Sequence, residues 1–295
     1  MRLPAVLVAA ATVFGAIAAG PAGATQSTVD ALAGTTHFHG IAAVRDDPSA
    51  FYLATHHGLW RAGTDGRAEL LSERRDDFMG FTPHPTDSSI LFASGHPAGG
   101  GNLGVIVSTD RGRTWRRLSG GVRGPVDFHQ MDVSKADPTV MYGVHGGLQR
   151  SGDGGRSWSV TGSPPQGLIA IAASARDADT LYAATQGGLL RSGDGGRSWG
   201  RAHPSPNPAS VVHVAADGRV YAFLLGTGLV RAADAPGALS WQVVSGGFDG
   251  YLMHLAVAAG GRRLFAVAMD PRTRRQSVTV SVDGGASWGK AGGRR

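Results

Sequence analysis

Histidine is the reactive side chain this chain holds in quantity, with eleven copies against two glutamates and no cysteine. Their spacing is regular. Aligned on the start of a recurring apolar strand, one position is filled by His39, Met79, His129, Ile169, Val212 and Met253, and the next by Gly40, Gly80, Gln130, Ala170, His213 and His254. A third position, at the end of the following strand, holds His56, Gly95, His145, Gln186 and Gly226, with His57 and His96 one step on. Imidazole combined with thioether is a soft-to-borderline ligand set that suits copper, Cu(I) above all, whereas calcium or magnesium asks for oxygen. The expected metal ligands are therefore His39, His129, Met79 and Met253, with His56 and His145 just outside them. In the competing arrangement the histidines hydrogen-bond to nearby loops and the methionines fill space.

Carboxylates offer a second chemistry. Asp77, Asp127 and Asp249 lie in segments that lead into the same apolar strands. Two carboxyl groups about 6.5–9.5 Å apart across a cleft are what an inverting glycosidase needs. Five of the six tryptophans close polar turns instead of forming sugar platforms, and the loops beside these aspartates are brief except Gly95 to Gly104 and Met269 to Gln276.

The elements that must position these groups come from a repeat. Ser-x-Asp-x-Gly-x-Ser/Thr-Trp occurs at Ser108 to Trp115, Ser151 to Trp158, Ser192 to Trp199 and Ser281 to Trp288, with a worn copy from Asp234 to Trp241. Steps of 40 to 50 residues suit a four-stranded propeller blade, which buries its faces only against neighbouring copies. Six β-rich segments centred on Tyr52, Phe92, Tyr142, Tyr182, Tyr221 and Phe265 predict six blades. Each is preceded by an apolar first strand: Phe38 to Val44, Phe78 to Thr82, Phe128 to Val133, Leu168 to Ala173, Val211 to Ala216 and Leu252 to Val257. The expected fold is all-β, a single propeller of six four-stranded blades. First strands line the axis, so their opening residues and the second-to-third loops should share one rim.

With these repeats the chain resembles the Asp-box propellers, the family that includes sialidases, the sortilin luminal domain and a photosystem assembly factor. The resemblance implies that Asp110, Asp153, Asp194 and Asp283 build turns on the face away from the active site, with Trp115, Trp158, Trp199 and Trp288 filling space between blades. The chemistry agrees, since a short side-chain oxygen accepts backbone N–H bonds in a tight turn and glycine supplies positive φ. Exported bacterial proteins of this appearance are labelled glycosyl hydrolases. A sialidase would need an arginine cluster and a tyrosine activated by glutamate, whereas the two glutamates here, Glu69 and Glu73, sit together in blade 1 and Tyr251 alone escapes the core register. A metal-free interaction platform is the third class open to the fold.

The remaining composition sets the context. Residues 1–24 read as an export signal, 25–36 as an N-terminal segment able to add an outer strand to the last blade, 37–290 as the propeller and 291–295 as a basic tail. A secreted or periplasmic monomer follows, without disulfides, with a metal ion or an extracytoplasmic protein or glycan as partner. The net charge of +6 comes from scattered arginine pairs without interleaved aromatic rings, which argues against nucleic acid.

Overall fold

The computed structural model describes residues 25–246, 248 and 250–293. Strands recur in antiparallel sets of four, each ordered by sequence, and six such sheets form the ring. The first strands are Phe38–Ala43, Asp77–Pro83, Gln130–Val133, Leu168–Ala173, Ala209–Val214 and Tyr251–Val257. Each first strand contacts its neighbours around the axis. The core lies between blades: Tyr142, Tyr182 and Tyr221 are fully buried, as are Phe38, Phe51, Phe78 and Phe128. Among the described residues no helix is long and apolar enough to cross a membrane.

Two expectations need correction. The N-terminal segment does contribute an outer strand, Gln26–Thr28, but it pairs with Arg67–Leu70 of the first blade and not with the last. Helix α1 (Val29–Thr35), capped by the Thr28 hydroxyl, then drops Val29 and Leu32 into a core shared by Trp60 of blade 1 and Val278 of blade 6. Ring closure is thus made by a helix wedge and by the Gly292 amide donating to the Thr64 carbonyl at 3.0 Å. The second correction concerns blade 5. Its hairpin turns between Ala215 and Arg219, where blade 1 uses Val44 to Ala50, so its first strand starts at Ala209 instead of Val211. Ser210, not Val212, therefore matches His39, and His213 sits deeper than expected.

The aspartate turns join third to fourth strands. In the turn after Val105–Ser108, Asp110 accepts from the Thr114 amide at 2.9 Å and the Arg113 amide at 3.1 Å, while Ser108 Oγ accepts from the Gly112 amide at 2.8 Å. Asp153, Asp194 and Asp283 repeat the pattern. Trp115, Trp158 and Trp288 each close their turn by donating Nε1–H to a carbonyl three residues back, and Trp158 lies 4.9 Å from the Phe128 ring in the layer between blades 2 and 3. Trp199 packs in the following layer, its Nε1 buried without a partner. The worn copy instead ties blade 5 to blade 4, because Asp234 is buried and accepts from Tyr182 Oη at 2.7 Å, Ser174 Oγ at 2.6 Å and the Ala175 amide at 2.8 Å.

Candidate metal centre

At the rim where first strands begin, the sequence writes one tripeptide three times: His37-Phe38-His39, Asp77-Phe78-Met79 and Asp127-Phe128-His129. The central phenylalanines are at most 1% exposed, and on an extended chain the flanking side chains point oppositely to the anchored ring. The anchors are further fixed through their amides, Phe38 donating to Gln276 Oε1 at 2.8 Å and Phe128 to the buried Ser94 Oγ at 2.9 Å. At His39 the ladder skips a residue: Phe38 pairs with Thr55 and Gly40 with Ala54, leaving His39 on a bulge. Bulges re-aim side chains, and His39 turns toward the second blade.

The first group is His39, His56 and Asp77. His56 stands in a tight turn in which Thr55 Oγ1 donates to the Gly58 carbonyl at 2.8 Å and accepts from the His57 amide at 3.0 Å. His56 Nδ1 lies 2.8 Å from Asp77 Oδ2, and His39 Nε2 lies 3.1 Å from His56 Nδ1 and 3.5 Å from Asp77 Oδ1. Burial lowers the His39 pKa to about 4, with Asp77 opposing the shift and His56, His254 and His37 adding to it. His39 is accordingly neutral at physiological pH, with a lone pair to offer.

The second group, His96, Asp127 and His129, stands one blade on. His96 Nε2 and His129 Nε2 approach the same Asp127 oxygen, Oδ2, at 3.0 and 2.6 Å. His96 Nδ1 lies 2.9 Å from the Gly101 carbonyl. That carbonyl raises the His96 pKa, as does Asp127 beyond it, against the opposing effect of burial. With Nδ1–H committed to Gly101, a neutral His96 would turn its Nε2 lone pair onto a carboxylate. A proton or a metal cation between them removes the repulsion. An imidazole that donates its far N–H to a backbone carbonyl is also the usual support of a metal-ligating histidine.

On each carboxylate one oxygen, Asp77 Oδ1 and Asp127 Oδ1, is buried and accepts no hydrogen bond among the described residues. Buried polar atoms in this position are uncommon and call for an explanation. The two groups adjoin, because Asp77 of one and His96 of the other are directly opposed across the strands of blade 2. Their close approach depends on Gly95, whose φ is +119° and where a Cβ would stand 2.0 Å from the Asp77 carbonyl oxygen.

The sequence reading has His39, His129, Met79 and Met253 converge with His56 and His145 just outside; in the structure His39 stands with His56 and not with His129. His129 joins His96, and both groups acquire an aspartate that the sequence had pointed to glycoside cleavage. Met79 is buried, and Met253 Sδ accepts from Gln276 Nε2 at 3.3 Å. His145 Nδ1 lies 3.1 Å from the Asp127 backbone carbonyl, not its carboxylate. Asp249 lies outside the described residues. The repeated x-Phe-x tripeptide was the signal that would have joined the aspartates to the histidines.

Neither a protein-family profile nor a curated protein sequence matches the chain. Among solved structures it is similar to the GH74 enzyme of Niastella koreensis, with a TM-score of 0.57 at 16% identity over 86% of this chain and 45% of that one. The GH74 xyloglucanase of Xanthomonas campestris gives 0.54 at 20% identity over 90% and 46%, so this chain spans less than half of either enzyme. YCF48 from Cyanidioschyzon merolae gives 0.50 at 18% identity over 86% and 84%. At such identities the likeness establishes a β-propeller and nothing of its chemistry.

Proposed function

We propose that the chain is an exported metal-binding propeller that takes a divalent first-row transition ion in each of its two His-His-Asp groups. The observation that carries this reading is the repeated meeting of two imidazoles and a carboxylate with a buried, unpartnered oxygen. Nitrogen with carboxylate oxygen favours Cu(II) or Zn(II) over Cu(I), and of the two Cu(II) binds more strongly at a given site. Glycoside hydrolysis through Asp77 and Asp127 is the weaker alternative, because imidazoles occupy both carboxylates and only fold likeness recommends it.

Equilibrium dialysis of the mature chain against Cu(II) or Zn(II), followed by elemental analysis, tests the reading. Two ions per chain are expected in the wild type, one after Asp127→Asn and none after Asp77→Asn with Asp127→Asn. A wild type that retains no ion, or a double variant that retains two, refutes it.

A further inference from the structure

The propeller axis is hollow along its length, its lining running from His39 and His129 at one end to Arg45 and Asp217 at the other. The first strands enclose a chamber of about 640 Å³, within the range of small-molecule sites. It is open because several residues lining it are small: Gly40, Gly80 and Ala170 above, Ala42, Ala172 and Ala256 below. The lower level is defined by register. Ala42, Thr82, Asp132, Ala172, His213 and Ala256 each pair with the recurring aromatic of their own second strand, Tyr52, Phe92, Tyr142, Tyr182, Tyr221 and Phe265 respectively. Three of these six are polar, and Lys135 joins them through its ion pair with Asp132.

Their hydrogen bonds are unequally used. Asp132 accepts from Thr82 Oγ1 at 3.1 Å, the Val133 amide at 2.9 Å, the Ala173 amide at 2.8 Å and Lys135 Nζ, so both its oxygens are occupied. Lys135, 16% exposed at its side chain, has no other side-chain partner among the described residues, which leaves two of its three N–H donors free. His213 lines the chamber and makes no side-chain hydrogen bond among the described residues. Burial lowers its pKa to about 4, helped by the Lys135 charge and opposed by Asp132. A lysine with spare donors and a neutral imidazole thus share the chamber, whose walls include Ile41, Ile171, Val212 and Leu255.

We propose that this chamber binds a small monocarboxylate with an apolar tail, the carboxylate accepting from Lys135 and from His213 and the tail lying against the aliphatic wall. The chamber shares His39 and His129 with the rim groups, so its test is run without metal and includes a rim variant.

Octanoate and 1-octanol are titrated calorimetrically into the mature chain in chelator-treated buffer, with the wild type, Lys135→Met, His213→Gln and the rim double variant Asp77→Asn with Asp127→Asn. Octanoate should bind the wild type at least tenfold more tightly than octanol. Lys135→Met should abolish that preference, His213→Gln should weaken octanoate severalfold, and the rim variant should bind it unchanged. Equal affinity of the wild type for acid and alcohol overturns the proposal, as does octanoate affinity unaltered by His213→Gln. Loss of octanoate binding in the rim variant would move the carboxylate to the rim groups and likewise end it.

Discussion

Aspartates stand at both rims of this propeller in opposite circumstances. On the lower rim Asp153 is surrounded by donors, taking the Arg156 and Ser157 amides and the Ser151 and Ser157 hydroxyls in one turn. Those donors, the Ser157 hydroxyl first, hold its pKa at about 2, and the same bonds hold Asp194 and Asp283 well below the usual carboxylate range. On the upper rim Asp77 and Asp127 face imidazoles, and each keeps a buried oxygen that accepts no hydrogen bond among the described residues. One side chain thus does two jobs. Where the chain itself supplies every donor, the carboxylate shapes backbone; where it supplies too few, the carboxylate is the one proposed to take an ion.

The comparison breaks most visibly at glycine. Gly196, in the turn of Asp194, has φ +86° and leaves no room for a Cβ, which would stand 2.0 Å from Leu148 Cδ2 of the preceding blade. Backbone strain and overpacking together predict that Gly196→Ala costs roughly 2–5 kcal/mol, a fall in Tm of roughly 5–15 °C for a chain of this size. Metal content per folded molecule should not change. Thermal unfolding by circular dichroism, with dialysis alongside, measures both.

An effect of comparable size belongs to the upper rim. Any ion that binds only the folded chain stabilises it by about 2.7 kcal/mol per site at a hundredfold excess over Kd. Cu(II) or Zn(II) should raise Tm accordingly, a chelator should reverse the gain, and Asp77→Asn with Asp127→Asn should abolish it. An equal gain in the double variant would show that the ion binds elsewhere.

A smaller effect distinguishes the rims by pH. Aspartates whose folded pKa is depressed stabilise the fold above their unfolded value of 3.8, and that stability is lost as pH falls toward about 2. As far as the lower rim is concerned, Tm should therefore be insensitive to pH near neutrality and decline below about pH 4, less steeply in Asp153→Asn than in the wild type. A parallel decline in the two proteins would contradict the assignment. The smallest effect is expected at His145, whose ring hydrogen-bonds to the Asp127 backbone and to no carboxylate among the described residues. His145→Ala should alter stability by no more than about 0.5 kcal/mol and leave two ions bound. Loss of an ion there would extend the second group beyond its present three members.

Blade number, the aspartate turns and the recurring aromatics were all legible in the sequence, because each is a local pattern stamped repeatedly by the need of every blade to bury two faces. Even the histidines that line the rim could be named from the repeat. Partner choice was not legible. His39 reached Asp77 through a bulge that strand periodicity does not reveal, and Asp127 met His96 through a neighbouring blade. The short Ala215–Arg219 turn moved His213 down to the level of Asp132. Local sequence fixes which residues stand on each strand. Which atoms come within bonding distance is set by bulges, turn lengths and the contact of one sheet with the next, and those were decided only when the ring closed.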